Sequence, residues 1–180
     1  MVVKFSKNVN KVVYAVLLLL LVAVVALVLL NRGDPELRRA LSENREFMIL
    51  ADGQHIATVN LQLLLDMDPV EFSTTFSTSA TAARDVVLRG VELRTLLDSL
   101  DIDVSDADYF LVSGLDAYYS PLSRDEVEKA ETVYICFSMG GEVLKPQDEG
   151  GYGPFMMVIR GSRFAQRWCK YVESVDVRSR

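Results

Sequence analysis

Imidazole and thiol are scarce in this sequence: its 180 residues include one histidine and two cysteines. That leaves no ligand set for a zinc finger or a haem pair, and no framework for a disulfide-dense scaffold. With 10 glycines and 5 prolines the chain is neither collagen-like nor low in complexity. An apolar share of 50% excludes a disordered one. No G-x-x-x-x-G-K-[ST] spacing is present, so nothing nominates nucleotide hydrolysis. The single imidazole, His55, follows Asp52-Gly53-Gln54 and reads as an exposed hairpin residue. No Ser/His/Asp triad can be built around it. The length suits one domain and a little more.

Charge is missing from one long stretch. Val12–Leu30 is a run of 19 apolar residues without a charged or amide side chain. As a helix it would extend about 28 Å, close to the ~30 Å hydrocarbon core of a bilayer. A cleaved signal peptide is the main rival, but its apolar core is about 7–15 residues long and ends at small residues. Here the run ends Leu-Leu-Asn-Arg-Gly, and no cysteine follows for a lipid anchor. The expectation is an uncleaved signal anchor. Lys4, Lys7 and Lys11 precede it with no acid among them, whereas Asp34 and Glu36 follow Arg32. The positive-inside rule then keeps residues 1–11 in the cytoplasm, places 12–30 in membrane lipid and exports the rest of a single-pass protein.

The acidity lies in the exported part. Residues 1–33 carry four of the 19 basic residues and none of the 25 acidic ones, so residues 34–180 hold 15 − 25 = −10. That balance argues against nucleic acid and against docking on an anionic lipid surface. Residues 31–46 are charged and read as a stalk, with residues 47–180 as the domain.

Within the domain, Phe47–Leu50 and His55–Val59 flank Asp52-Gly53, a hairpin signal. Leu61–Met67 suits a short helix, Glu71–Thr78 alternates like a strand, and Asp85–Leu88 reads as a strand closed by Arg89-Gly90. Val91–Leu100 puts Val91, Leu93, Leu96, Leu97 and Leu100 on one helical stripe. Tyr109–Ser113 is a strand, and Ser123 with Glu126 has capping-box spacing. Thr132–Ser138 is a fully apolar strand, Gly140-Gly141 a turn, and Gly150–Pro154 a glycine-rich loop before Phe155–Ile159. A helical turn near Arg163–Arg167 precedes a last strand, Tyr171–Val177. Short strands interleaved with short helices give an α+β domain.

Four segments in order, GVELRTLLDSL, FLVSGLDAYYSPLSRDEV, TVYICFSMGGEVLKPQDEGGYGPFMMVI and RWCKYVESVDV, resemble the sulfite-oxidase-like molybdopterin-binding family. VNLQLLLDMDPVEFSTTF upstream is similar too, so the likeness covers roughly residues 47–178. The resemblance implies mixed sheets with short helices and a molybdopterin cleft. It also implies a cysteine thiolate on molybdenum about a dozen residues before the "G-V" helix. Counting back from Gly90, that place holds Ser77, Thr78 and Ser79. The family's arginine in "G-P-x-R" has no counterpart either, since Met156 and Met157 follow Gly153-Pro154-Phe155 and the nearest arginine is Arg160.

The remaining cleft candidates are Arg84, Tyr118, Tyr119, Gly151, Tyr152, Gly153 and Arg160, with Arg89 as a further cation. Three glycines in Gly150–Gly153 permit the close backbone approach that anion-holding loops need, or merely let a loop turn. Tyr118 and Tyr119 stand where the family has "D-G-Y" and either line the cleft or pack across a loop. Cys136 and Cys169 are open to two readings, a disulfide or two buried thiols. The acids at 101, 103, 106 and 108 lack the glycine and glutamate of a calcium loop and read as a solvated turn.

The expectation is a membrane-anchored, extracytoplasmic binding module with no cofactor; molybdopterin enters through the resemblance alone. No catalytic residue and no metal ligand is assigned. The alternatives are a molybdopterin-dependent oxidoreductase and an accessory subunit of a membrane redox complex, with a redox or assembly partner.

Overall fold

The computed structural model describes residues 7–30, 42–77, 82–162 and 165–179. The chain divides into two compact units, one holding the helix α1 (Lys7–Leu30) and the other the described elements from residue 42 onward. In α1 the described side chains from Val13 to Ala26 are exposed on every face. Among the described residues no helix is long and apolar enough to cross a membrane. The described side chains of α1 stop at Ala26, inside an apolar run that the sequence carries to Leu30. Most of the expected stalk, residues 31–41, lies outside the described residues.

The second unit is built on two five-stranded sheets. In the first, β1 (Glu46–Ala51) and β2 (Gln54–Asn60) form the expected hairpin. Asp52 and Gly53 take φ of 50° and 80° at its turn, the left-handed pair such a hairpin needs. β10 (Val172–Ser179) runs parallel to β1 and antiparallel to β5 (Ala107–Gly114), which pairs with β6 (Tyr119–Ser123). The order is β2-β1-β10-β5-β6.

The second sheet holds β3 (Val70–Phe76), β4 (Arg84–Glu92) and β7 (Val133–Met139) in that order. The far edge of β7 is shared by β8 (Glu142–Val143) and β9 (Met156–Ile159). β7 lies inside the sheet and is buried along almost its whole length, as its unbroken apolar sequence requires.

Short helices complete the unit. α2 (Leu61–Leu65) starts at Asn60, whose side chain accepts from Leu63 N–H at 2.9 Å. α3 (Leu93–Ser99) buries Leu93, Leu96 and Leu97. α4 (Arg124–Glu128) carries the complete Ser123–Glu126 capping box.

Two sequence expectations need correction. β4 does not stop at Arg89-Gly90 but continues to Glu92, so Val91 is buried as a strand residue and α3 begins only at Leu93. Gly90 is not a strand terminator. A β-carbon there would lie 2.7 Å from the Cys136 α-carbon and closer still to the Ile135 carbonyl oxygen. Glycine instead lets β4 press against β7 at the bulge between Arg89 and Gly90.

Candidate functional site

Inward side chains of β3 alternate Phe72, Thr74, Phe76, and the strand ends at Phe76. Its partner across the pair is Arg84, first residue of β4. Arg84, Val86 and Leu88 share one face by strand alternation. Val86 and Leu88 are buried, whereas Arg84, at the open end of the sheet, is exposed. Ser77 follows Phe76 and is exposed. Thr78 and Ser79 lie outside the described residues, so the serine-threonine candidates are placed only through Ser77.

The glycine-rich loop packs on its own chain. A β-carbon on Gly153 would lie 2.5 Å from the Leu144 β-carbon, and one on Gly151 would collide with the Lys145 carbonyl. Gly153 N–H donates to Lys145 O at 2.8 Å. The space these glycines leave is therefore filled by residues 144 and 145. Only Gly150, with φ of 74°, needs glycine for its turn. The result is a rigid arm for Tyr152, whose ring centroid lies 5.1 Å from that of Phe76.

The third wall is the segment before β10. Arg167, in a 3-10 turn (Ala165–Arg167), makes a two-pronged contact with Glu126 at 2.6 and 3.1 Å and donates to Pro121 O at 2.9 Å. Ser120 Oγ donates to Arg167 O at 2.7 Å, and Tyr118 Oη to Gln166 O at 2.5 Å. The Arg167 contact holds the Glu126 carboxyl at about 2, well below its usual range.

Thus clamped, the chain sends Trp168 and Lys170 to one side and Cys169 to the other. The Trp168 ring lies 5.8 Å from Phe76. The Lys170 ammonium sits 4.7 Å from the Tyr152 ring centre and 5.8 Å from that of Phe76, cation-over-ring contacts. Trp168 Nε1 is fully buried without a hydrogen-bond partner among the described residues.

Both cysteines are free and buried. Cys136 faces Met156 across the β7–β9 pair, and Cys169 bridges Met157 from the other side of β9. The two are therefore about two strand spacings apart, roughly 9–10 Å, beyond the reach of a disulfide. Burial pushes the Cys169 thiol up to about 12, with the Asp116 charge adding to it. Burial raises Cys136 as well. Molybdenum wants a soft, deprotonated thiolate, and neither interior thiol fits that demand. Among the described residues no group of three or more His, Cys, Asp or Glu side chains is placed to hold a metal. What the site offers is aromatic surface with the Lys170 ammonium beside it, which fits a flat organic group.

The other candidates fall elsewhere. Tyr118 anchors the clamp through its hydroxyl, and burial raises its pKa. Tyr119 is 54% exposed on the edge strand β6. Arg160 closes β9 at the opposite end of β3, 3.0 Å from Glu131 and over the Phe72 ring. Arg89 lies over Phe137. Beside the Arg160–Glu131 pair is a cleft of about 240 Å³ lined by Met67, Asp68, Val91, Glu92, Glu131 and Tyr134, among others. His55 is exposed and meets Thr58 Oγ1 at 2.9 Å.

The structure thus brings Tyr152 together with Phe76, Trp168 and Lys170, which the sequence did not nominate. Their signal was faint: the only tryptophan of the chain, and a lysine two residues on, on the same face of an extended segment.

No curated protein matches the chain. Among solved structures it is similar to the sulfane dehydrogenase SoxCD from Paracoccus pantotrophus, with a TM-score of 0.60 and 17% identity. The match covers 75% of this chain and 38% of that one, and so speaks for the fold. The family model for the oxidoreductase molybdopterin binding domain matches residues 52–180. With most of its length covered by that model, the chain belongs to the oxidoreductase molybdopterin-binding domain family.

Proposed function

We propose that this protein is a membrane-anchored, extracytoplasmic module of the molybdopterin-binding fold that no longer ligates molybdenum through a thiolate. It would use the cluster at the end of β3 to bind a small ligand or a partner segment. The observation that carries this reading is the placement of both thiols: each is free and buried, on either side of β9. Support for the anchor comes from the uncharged run Val12–Leu30 and the lysines before it. A fold stripped of its metal ligand still offers a concave site, and fold does not fix function. Family membership keeps a second reading in view, a molybdopterin-dependent oxidoreductase.

The test is to produce the full chain in a host that makes molybdopterin, then measure molybdenum by mass spectrometry and pterin by fluorescence of the oxidised extract. The expected result is no stoichiometric molybdenum. Molybdenum and pterin at one per chain would overturn the proposal. An alkaline phosphatase fused after Arg180 should be active in a bacterial host; a stable but inactive fusion would sink the exported placement.

A further inference from the structure

The start of β3, away from Phe76, opens on the cleft of about 240 Å³, walled by Met67, Val91 and Tyr134 and edged by the carboxylates of Asp68, Glu92 and Glu131. Pockets for drug-sized ligands run to ~300–1,000 Å³, so this space suits an occupant about the size of one side chain. Its walls are apolar or aromatic: Val91 and Tyr134 are each 3% exposed, and Met67 is half-buried. Its charge is unbalanced. Arg160 answers Glu131 at 3.0 Å while lying over the Phe72 ring at 5.3 Å. Glu92 Oε1 accepts the Glu131 N–H at 2.6 Å, yet neither Glu92 nor Asp68 has a cation partner among the described residues. Like charges gathered against apolar walls repel until a positive group joins them.

The spacing of the carboxylates selects the kind of positive group. All three line one cavity, but among the described residues no three His, Cys, Asp or Glu side chains converge closely enough to hold a metal ion. A divalent cation draws its oxygens in to about 2.0–2.6 Å. A wider group with several donors and an apolar stem meets the edge and the walls together. Arg160 already shows the arrangement, with a carboxylate at its head and an aromatic ring beneath it.

We propose that this cleft binds a small organic cation, a guanidinium or ammonium on a short apolar stem. The charged head meets Asp68 and Glu92, and the stem lies along Met67, Val91 and Tyr134. Residues 34–180 carry a net −10, so the field of the domain draws such a cation in. The cleft is at the opposite end of β3 from the Phe76 cluster, and the inference does not depend on what that cluster binds.

Of the chain's 10 glycines, Gly90 is the one that lines the cleft. The full chain, labelled with nitrogen-15 glycine and held in uncharged detergent micelles, is titrated with butylguanidinium chloride while NMR follows the Gly90 amide. Butylurea, which has the same shape without the charge, sodium chloride at equal ionic strength and calcium chloride are the comparisons. Expected is a saturable shift with butylguanidinium and none with the other three. Glu92→Gln keeps the carbonyl that accepts the Glu131 N–H, and Asp68→Asn suits the left-handed backbone there, at φ of 51°. Each therefore deletes charge and keeps the fold, and should weaken the midpoint about 2–5-fold, the range of one partly exposed charge contact. Arg160→Gln should tighten binding, because Glu131 is then free to meet the ligand.

An equal shift with butylurea or sodium chloride, or a larger one with calcium, would overturn the proposal. So would an unchanged midpoint in both Glu92→Gln and Asp68→Asn when their other glycine amides match the wild type. Lys170→Gln, at the far cluster, should leave the midpoint where it is. A weaker midpoint there would place the ligand at that cluster and defeat the cleft.

Discussion

At one end of β3 the ring of Phe72 lies 4.6 Å from that of Tyr134 and 5.3 Å from the Arg160 guanidinium; at the other, Phe76 lies 5.1 Å from Tyr152 and 5.8 Å from the Lys170 ammonium. The parts correspond: a buried phenylalanine, a tyrosine and a cation above the ring. They are finished differently. Arg160 is neutralised by Glu131 at 3.0 Å. Lys170 has no such partner among the described residues, and Trp168, two residues before it, buries an indole N–H with no partner among them. Around Phe72 the chain closes the charge of its own cation. The end that leaves a donor and a cation open is the one proposed above as the module's binding site.

Alanine at the two phenylalanines gives the largest effect. Phe76→Ala should cost about 3–5 kcal/mol in urea unfolding, since the ring is 1% exposed and touches two aromatic neighbours. Phe72→Ala should cost a similar amount. If Phe76→Ala alters the Trp168 emission and Phe72→Ala does not, the asymmetry between the ends stands. An equal emission change in both variants would break it.

Next in size are the glycines that set each end. Gly90→Ala and Gly151→Ala would each drive a β-carbon into backbone, at Ile135 and Lys145. A loss of about 1–3 kcal/mol, read as a lower melting temperature, is expected for both. Only Gly151→Ala should also disturb the Trp168 emission, because only that loop carries Tyr152. Identical spectra in both variants would mean the loop does not position the ring.

The clamp behind Trp168 predicts a pH dependence. The folded-state value of Glu126 is about 2 against an ordinary 4.5, so its contribution is present above about 4.5 and is lost as pH falls toward 2. Arg167 is 43% exposed, so solvent screening limits the pair to about 1 kcal/mol. Urea midpoints measured from pH 6 to pH 2.5 should fall faster in wild type than in Glu126→Gln. Parallel curves would show that the clamp contributes nothing. Smallest of all should be Glu131→Gln, below ~0.5 kcal/mol by the same assay, because that carboxylate is 74% exposed.

Much of the frame was legible because its signals are local. Asp52-Gly53 forces a left-handed turn, Ser123 and Glu126 cap each other, and an apolar run such as Thr132–Ser138 fits only an interior strand. Gly90 was misread because its role depends on β7, more than forty residues away in sequence. The same reason hid the candidate site. Phe76, Tyr152, Trp168 and Lys170 come from three separated segments, and each looks like an ordinary core or surface residue until pairing brings it to the end of β3. The glycine loop was ambiguous for the converse reason. Its spacing permits close approach, but only the structure reveals that its own backbone at 144 and 145 is what approaches.

β10 carries one more consequence. It is the last strand described, yet it lies in the middle of its sheet, between β1 and β5, and Asp176 and Val177 reach back to tie the Asp52-Gly53 turn through Gly53 N–H at 3.1 Å and Asp52 N–H at 3.0 Å. During synthesis the β1–β2 hairpin and the β5–β6 pair therefore wait as separate pieces with open edges until residues 172–179 appear. Assembly is gated by β10, and the interval before it arrives is when the nascent chain is most exposed to wrong strand pairing.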